Sequence, residues 1–305
     1  MTIVEALKWA SEQLQTNLKE TNKSPMLDAE LLLSFVLKTT KTNLFAHINE
    51  PLSSEQSDQF TQLIIRRLTH EPIAYLLGTK AFYGREFEVN SSVLIPRPAT
   101  ELMIEQAISL CKDSPPETTF FLDVGTGSGA IAITLATETA ISVIATDISK
   151  EAIEVAKRNA LAHHVDQKID FRQGDLLEPI LLILEKLKKH KTDCPDQVIM
   201  DEIILCANLP YLSETQWEKT QLNVREHEPR LALEAGSEGL DYYEKLFQQI
   251  KKHRSLFPNH LTTLIEIDPS QVTRAIDLIY ESFPSSYPEI YQDLEGHNRL
   301  IVTHL

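Results

Sequence analysis

The sequence predicts an α/β fold: an open parallel sheet with helices between its strands, preceded by a small helical domain and a linking hairpin. Three observations carry that prediction. Phe120-Phe121-Leu122-Asp123-Val124 is a short apolar run broken by one acid, as in a buried parallel strand, and Gly125, Gly127 and Gly129 then lead into a helix opened by Ala130. Downstream of that turn, strand-like and helix-like stretches alternate. Upstream, the first 80 residues read as short helices.

In chain order, Thr2 and Glu5 form a capping box ahead of Ala6, Leu7, Ala10 and Leu14. Ser24-Pro25 is an N-cap with a first-turn proline, opening a helix that turns Leu27, Leu31, Leu32 and Phe35 inward. Another helix starts at Ser53 or Ser54 and runs through Phe60, Leu63, Ile64 and Leu68, and a short one from Pro72 through Tyr75 and Leu76 stops at Gly78. Residues 80–94 change period: Phe82, Tyr83 and Gly84, then Phe87 and Val89 among charged residues, read as a short hairpin. The chain thus divides into a helical domain over 1–80, a hairpin linker over 81–95 and a sheet domain over 96–305. Pro96 and Pro98 bar helix up to Arg97, after which Pro98 can open a helix over 100–111. Arg97 and Glu101 stand either as a capping ion pair or at the site. A second strand is expected at 141–146, a helix at 150–163, a third strand at 169–172, an amphipathic helix at 177–191 and a fourth strand at 203–207. The loop over 191–197 is read as mobile. A helix at 240–251, a fifth strand at 261–267, a helix at 271–280 and β-like runs at 287–292 and 299–304 follow.

A chain of 305 residues suffices for two domains, and 42% hydrophobic with 24% charged residues is ordinary for a soluble protein. A formal net charge of −15 argues against nucleic acid gripped through its phosphates. Cys111, Cys194 and Cys206 form no Cys-x-x-Cys pair, and His163, His164 and His297 have no partner at metal-ligand spacing, so neither a disulfide framework nor a metal is expected. No basic-then-apolar leader and no run of about 18 apolar residues occurs, so the expected place is the cytoplasm, away from membranes.

Glycine lets the turn bend sharply and a ligand approach, and the following helix offers unpaired N–H groups. Gly125-x-Gly127-x-x-Ala130 also fits a dinucleotide fingerprint, so the turn does not choose its ligand. Asp147 closes the second strand about 20 residues past the glycines, where a carboxylate accepts both ribose hydroxyls of an adenosine cofactor. Asp175 is placed to accept from the adenine amino group while Leu176 covers the ring. The fourth strand delivers Asn208-Leu209-Pro210-Tyr211. Ligands of open α/β sheets bind outside the carboxyl ends of the strands, so Asp123, the glycine turn, Asp147, Asp175 and Asn208 converge on one crevice. An amide or aromatic amine is a poor nucleophile because its lone pair is delocalised. The Asn208 side-chain oxygen and the Leu209 carbonyl can accept from both N–H bonds of a planar NH2, Pro210 stiffens the turn, and Tyr211 gives a flat wall. The lone pair is then aimed at an electrophile without a strong base.

The glycine turn, Asp147 and Asn208-Leu209-Pro210-Tyr211 resemble class I S-adenosylmethionine-dependent methyltransferases acting on planar nitrogens. More narrowly, the chain resembles the release-factor glutamine N5-methyltransferases. The matching stretches are 71–78 (from Glu71-Pro72 to Gly78), Val93-Leu94-Ile95-Pro96-Arg97-Pro98 with Thr100-Glu101, 121–130, Glu228-Pro229-Arg230-Leu231-Ala232-Leu233 and Gly239-Leu240-Asp241, with a loose match over 293–299. Leu209 stands where the family usually has proline, and Ala99 where it commonly has aspartate. Asn-Leu-Pro-Tyr also occurs in ribosomal RNA adenine dimethyltransferases, so the tetrapeptide alone does not choose the substrate. The resemblance implies a Rossmann-like seven-stranded methyltransferase sheet ending in an antiparallel pair. It implies S-adenosylmethionine held by Asp123, Gly125, Thr126, Gly127, Ser128, Gly129, Asp147, Asp175, Leu176 and Asn208, with catalysis by Asn208, Leu209, Pro210 and Tyr211. It also implies a substrate, the glutamine in the Gly-Gly-Gln loop of a peptide chain release factor, a protein of translation termination gripped by the N-terminal helices. Still open are a glutamine methyltransferase for a ribosomal protein, an adenine-N6 methyltransferase, an NAD-dependent dehydrogenase and a cofactor-binding module without catalysis.

Overall fold

The computed structural model describes residues 1–18, 24–193 and 200–305. From residue 194 on, the loop expected over 191–197 lies outside the described residues, as does Cys194. The chain forms two compact units, Met1–Lys80 with Lys219–Glu228, and Ala81–Glu218 with Pro229–Leu305.

The first unit contains α1 (Ile3–Asn17), α2 (Pro25–Leu37), α3 (Lys41–Ala46), α4 (Ser54–Leu68) and α5 (Ile73–Leu77). The capping box at α1 is present: Thr2 N donates to Glu5 Oε2 at 2.8 Å and Glu5 N to Thr2 Oγ1 at 3.4 Å. Ser53 and Gln56 form a second such box at α4, and Gly78 ends α5 in the left-handed region. The inward face of α2 differs from the expected one. Ala29, Leu32 and Leu33 are buried, Leu31 is half-buried, and Leu27 and Phe35 are 41% and 49% exposed. An almost wholly apolar helix has no distinct stripe, so its period does not choose a face. The short helix α3, capped by the Thr40 hydroxyl, buries Leu44 alone and is too brief for a periodic signal.

In the second unit, β1 (Thr79–Phe82) and β2 (Arg85–Glu88) form the hairpin, with the unit boundary falling inside β1. There follow α6 (Glu101–Leu110), β3 (Thr119–Val124), α7 (Ala130–Glu138), β4 (Ser142–Asp147), α8 (Lys150–Ala162), β5 (Ile169–Gln173), α9 (Glu178–Asp193), β6 (Glu202–Ala207) and α10 (Glu214–Glu218). After α11 (Leu222–His227), which belongs to the first unit, come α12 (Asp241–Lys252), β7 (His260–Glu266), α13 (Val272–Ser282), β8 (Tyr287–Gln292) and β9 (Asn298–His304). The sequence gives no periodic signal for α10 or α11, which are 5 and 6 residues long.

The seven-stranded sheet has the order β5-β4-β3-β6-β7-β9-β8. Strands β3 to β7 pair in parallel, and β9 pairs antiparallel with both β7 and β8, the closing pair the resemblance implied. Both faces are apolar. In β6, Ile203, Leu205 and Ala207 enter one core, while Ile204 and Cys206 enter the other. Each fully buried isoleucine or leucine among them contributes roughly 1.5–3 kcal/mol. From β3 the chain fills β4 and β5 on one side, then crosses back to β6 and β7 on the other. The strand order therefore reverses between β3 and β6, and their carboxyl ends splay apart into a crevice.

Candidate active site

The turn after β3 is tied down before any ligand is considered. Gly125 N and Thr126 N both donate to Thr146 O at 2.9 Å, and Gly129 N donates to Thr126 O at 2.8 Å. Gly125 (φ +80°) and Gly129 (φ +81°) lie in the left-handed region, and each is crowded. A Cβ on Gly125 would stand 2.9 Å from Leu209 Cδ2, and one on Gly129 2.8 Å from Ile133 Cδ1. The Leu209 side chain therefore packs directly over the turn. Asp123 is fully buried, and its Oδ2 accepts from Thr126 Oγ1 at 2.6 Å and Ala132 N at 3.1 Å. Asn159 on α8 donates to Ser128 O at 2.8 Å and Glu88 O at 3.0 Å, which fastens the turn to the hairpin.

Asp147 links two backbone segments. Its Oδ2 accepts from Gly127 N and its Oδ1 from Ser149 N, both at 2.9 Å. Burial raises its pKa, and these hydrogen bonds partly offset that. Asp175 pairs with Lys245, and Leu176 follows in the left-handed region. After β6, Asn208 Nδ2 donates to Thr100 Oγ1 at 3.1 Å, and Asn208 Oδ1 is buried without a partner. Leu209 N donates to the Tyr243 hydroxyl at 3.2 Å, and that hydroxyl donates to Glu266 O. Gln271 Nε2 holds Tyr211 O at 2.7 Å.

These elements enclose a cavity of about 280 Å³. Of the expected site residues, Gly125, Thr126, Gly127, Ser128, Asp147, Asp175, Leu176, Asn208, Leu209 and Pro210 line it. Asp123, Gly129 and Tyr211 are not in its lining. Asp123 is turned to Thr126 and α7, Gly129 caps α7, and the Tyr211 hydroxyl donates to Glu266 Oε1 at 3.3 Å behind the loop. Tyr242 is the tyrosine in the wall. The cavity also takes in Val93, Arg97, Thr100, Ile148, Leu231 and Ala232. Arg97, of the two placements the sequence allows, takes the one at the site, while Thr100, Leu231 and Ala232 lie in stretches that carry the family resemblance with nothing local to signal a site. Glu101 Oε1 accepts from Tyr83 N at 2.8 Å.

The lining suits an adenosine-bearing cation. Asp147 and Glu151, with Asp175 already paired to Lys245, set acidic groups in it against the guanidinium of Arg97, a poor match for a dinucleotide's pyrophosphate and a better one for a positively charged ligand. Ile148, Ala152 and Leu176 supply an apolar wall near those acids. Among the described residues, no group of His, Cys, Asp and Glu is arranged to hold a metal ion, and no helix is long and apolar enough to cross a membrane.

Asp123 makes a testable pH effect. Burial lifts its pKa from 3.8 to about 7 against the pull of Thr126 and Ala132. The folded protein therefore holds a proton there that the unfolded chain releases. The stabilisation is complete below the unfolded value, declines as pH rises through that interval, and is gone above the folded value. At ~1.36 kcal/mol per pKa unit, the decline between pH 5 and pH 8 amounts to up to about 3 kcal/mol. Asp123→Asn keeps an oxygen for Thr126 and Ala132 but cannot ionise. Urea unfolding at the two pH values should show a smaller decline in the variant, and equal declines would assign the effect to other groups.

A seven-stranded mixed sheet that gathers a glycine turn, two carboxylates and an Asn-x-Pro loop at one crevice is the architecture of a methyltransferase. The model for the methyltransferase domain matches residues 117–223, and that for the PrmC N-terminal domain matches residues 5–78. The chain is 35% identical to the release factor glutamine methyltransferase of Bacillus cereus over 100% of both chains. It is 36% identical to that of Bacillus subtilis, over 98% of this chain and 96% of the relative. The protein therefore belongs to the release factor glutamine methyltransferase family. Among solved structures, the hMettl16 catalytic domain matches with a TM-score of 0.52 at 12% identity, covering 79% of this chain and 91% of that one, a likeness of fold alone.

Proposed function

We propose that the protein transfers a methyl group from S-adenosylmethionine to the side-chain amide nitrogen, N5, of the glutamine in the Gly-Gly-Gln loop of peptide chain release factors. Family membership over the whole chain supports the reaction. The observation that carries the mechanism is the Asn208 amide: its nitrogen is tied back to Thr100, and its oxygen is buried with no partner beside the cavity.

When bound, S-adenosylmethionine supplies a methyl on a sulfonium, which gives that methyl to a nucleophile and departs as a neutral thioether. Asp147 accepts the ribose hydroxyls on the lone pairs its two backbone donors leave free. Asp175 and Leu176 hold the adenine edge and face. Asn208 Oδ1 accepts one N–H of the glutamine amide and the Leu209 carbonyl accepts the other, which fixes the plane of the amide and turns the nitrogen lone pair toward the methyl. Pro210 fixes φ in the turn that presents both acceptors. The nitrogen loses its proton after the N–C bond forms, so no base of unusual strength is needed. The helical region over 1–80 is assigned to recognition of the release factor, with residues 81–95 as linker and 96–305 as the catalytic domain. The setting is the cytoplasm, where termination takes place.

Incubation of a release factor with the protein and S-adenosylmethionine, followed by peptide mass spectrometry, should find one methyl on the Gly-Gly-Gln glutamine. Methyl groups found instead on a ribosomal protein or on adenine would overturn the substrate assignment.

A further inference from the structure

We propose that Tyr243 is a positioning residue that aims the Leu209 carbonyl, the second acceptor for the substrate amide; this rests on the role given to Leu209 above. A carbonyl serves a planar NH2 only if it points along one of the N–H bonds, and its direction follows from the backbone on either side of it. On the far side, Pro210 restricts Leu209 to extended conformations. On the near side, leucine leaves φ free where proline would lock it, and brings an N–H that proline lacks. Leu209 is buried, so that N–H needs a partner inside the protein.

Tyr243 supplies it. The side chain is wholly buried on α12, in the same core as Leu246, Phe247 and Ile250. Its hydroxyl meets three backbone groups: it accepts from Leu209 N at 3.2 Å, and its one proton faces Glu266 O, with Ala207 O at 3.2 Å. An N–H can only donate and a carbonyl only accept, so the groups themselves set the direction of each bond. Ala207 and Glu266 are the last residues of β6 and β7, adjacent strands of the sheet. The hydroxyl is therefore held by the sheet, and it holds in turn the peptide between Asn208 and Leu209. With the Leu209 side chain seated against Gly125 and Pro210 next in line, the carbonyl is fixed in direction. The same peptide joins the two acceptors, Asn208 and Leu209, so one buried hydroxyl keeps their spacing constant.

The test uses the full chain with a release factor and S-adenosylmethionine. Tyr243→Phe keeps the ring and its packing and removes the hydroxyl. It should lower kcat about 10- to 100-fold, with KM for the release factor and Kd for the cofactor within about threefold of wild type, because a misdirected acceptor impairs alignment more than binding. Leu209→Pro keeps the acceptor carbonyl and removes the N–H that the hydroxyl holds. In that background Tyr243→Phe should lower kcat by less than about threefold, since the two changes then act on one bond. An unchanged kcat in Tyr243→Phe, a Kd that rises as far as kcat falls, or an equal loss of kcat in the two backgrounds overturns the proposal. A second readout does not depend on the substrate: the Leu209 backbone N–H, assigned by NMR against Leu209→Pro, should exchange about tenfold faster or more in Tyr243→Phe, while the N–H groups of Ile204 and Leu205 within β6 keep their wild-type rates. A Leu209 rate equal to wild type, or the same acceleration at all three, overturns the positioning role even if the release factor proves not to be the substrate.

Discussion

Asn208→Ala is expected to lower kcat for release-factor methylation by about a thousandfold, while Kd for S-adenosylmethionine moves by less than about fivefold. The separation follows from where the side chain is attached. Asn208 follows β6, tied by Nδ2 to Thr100, and the backbone of the next residue is fixed independently through Leu209 N and the Tyr243 hydroxyl. Truncation at Cβ therefore removes one acceptor without releasing the loop. Asp147 and Asp175, the residues proposed to hold the cofactor, lie at or just past the ends of β4 and β5, beyond β3 from Asn208, and keep their own partners, Gly127, Ser149 and Lys245. Without Oδ1, the glutamine amide is held by the Leu209 carbonyl alone and rotates about that bond. Single-turnover kinetics with saturating cofactor, paired with calorimetry, separates the two effects. Equal losses in both would place Asn208 in the cofactor site and remove it from the substrate amide.

The parts of this site legible in the sequence are those whose cause is local. A glycine turn needs residues that tolerate positive φ, and an acid closing the next strand about 20 residues later is set by the βαβ repeat. Both can be read from one short window. Strand positions were equally plain: residues 287–292 and β8 coincide, and the other strands agree to within a residue or so at each end. The unread parts depend on distant partners. Glu266 meets Tyr211 because β7 pairs with β6, and Thr100 meets Asn208 because α6 packs on those strands, and nothing near Thr100 or Glu266 signals either encounter. Tyr243, wholly buried on α12, reads as an ordinary core position, yet its hydroxyl fixes Leu209 N. Tyr211 shows the converse. Its chemistry suggests a wall for a planar group, but the fold points its hydroxyl at Glu266 and leaves Tyr242 lining the cavity. In α2, uniform apolarity hid the true face, and Leu27 and Phe35 proved exposed.

Asp147→Ala should raise the Kd for S-adenosylmethionine about a hundredfold, with kcat at saturating cofactor changed by less than about tenfold, since a hydrogen bond to a charged group contributes ~1.5–3 kcal/mol. Asp147→Asn should be nearly as harmful, although it looks conservative. Both carboxylate oxygens of Asp147 already accept backbone N–H groups, Gly127 on one side and Ser149 on the other. An amide supplies one oxygen and must point its NH2 at the second N–H, which leaves two donors facing each other. The glycine turn or the start of α8 then loses its anchor, together with an acceptor for the ribose. A sequence-only view, in which the aspartate serves the ribose alone, predicts that asparagine retains much of the affinity. Calorimetry on the two variants decides between these: asparagine close to wild type would mean that the bonds to Gly127 and Ser149 do not support binding. The raised pKa adds a pH signature. The role proposed for Asp147 needs the ionised carboxylate, so affinity should fall on acidification sooner than it would with an exposed aspartate, and this part of the fall should disappear in both variants.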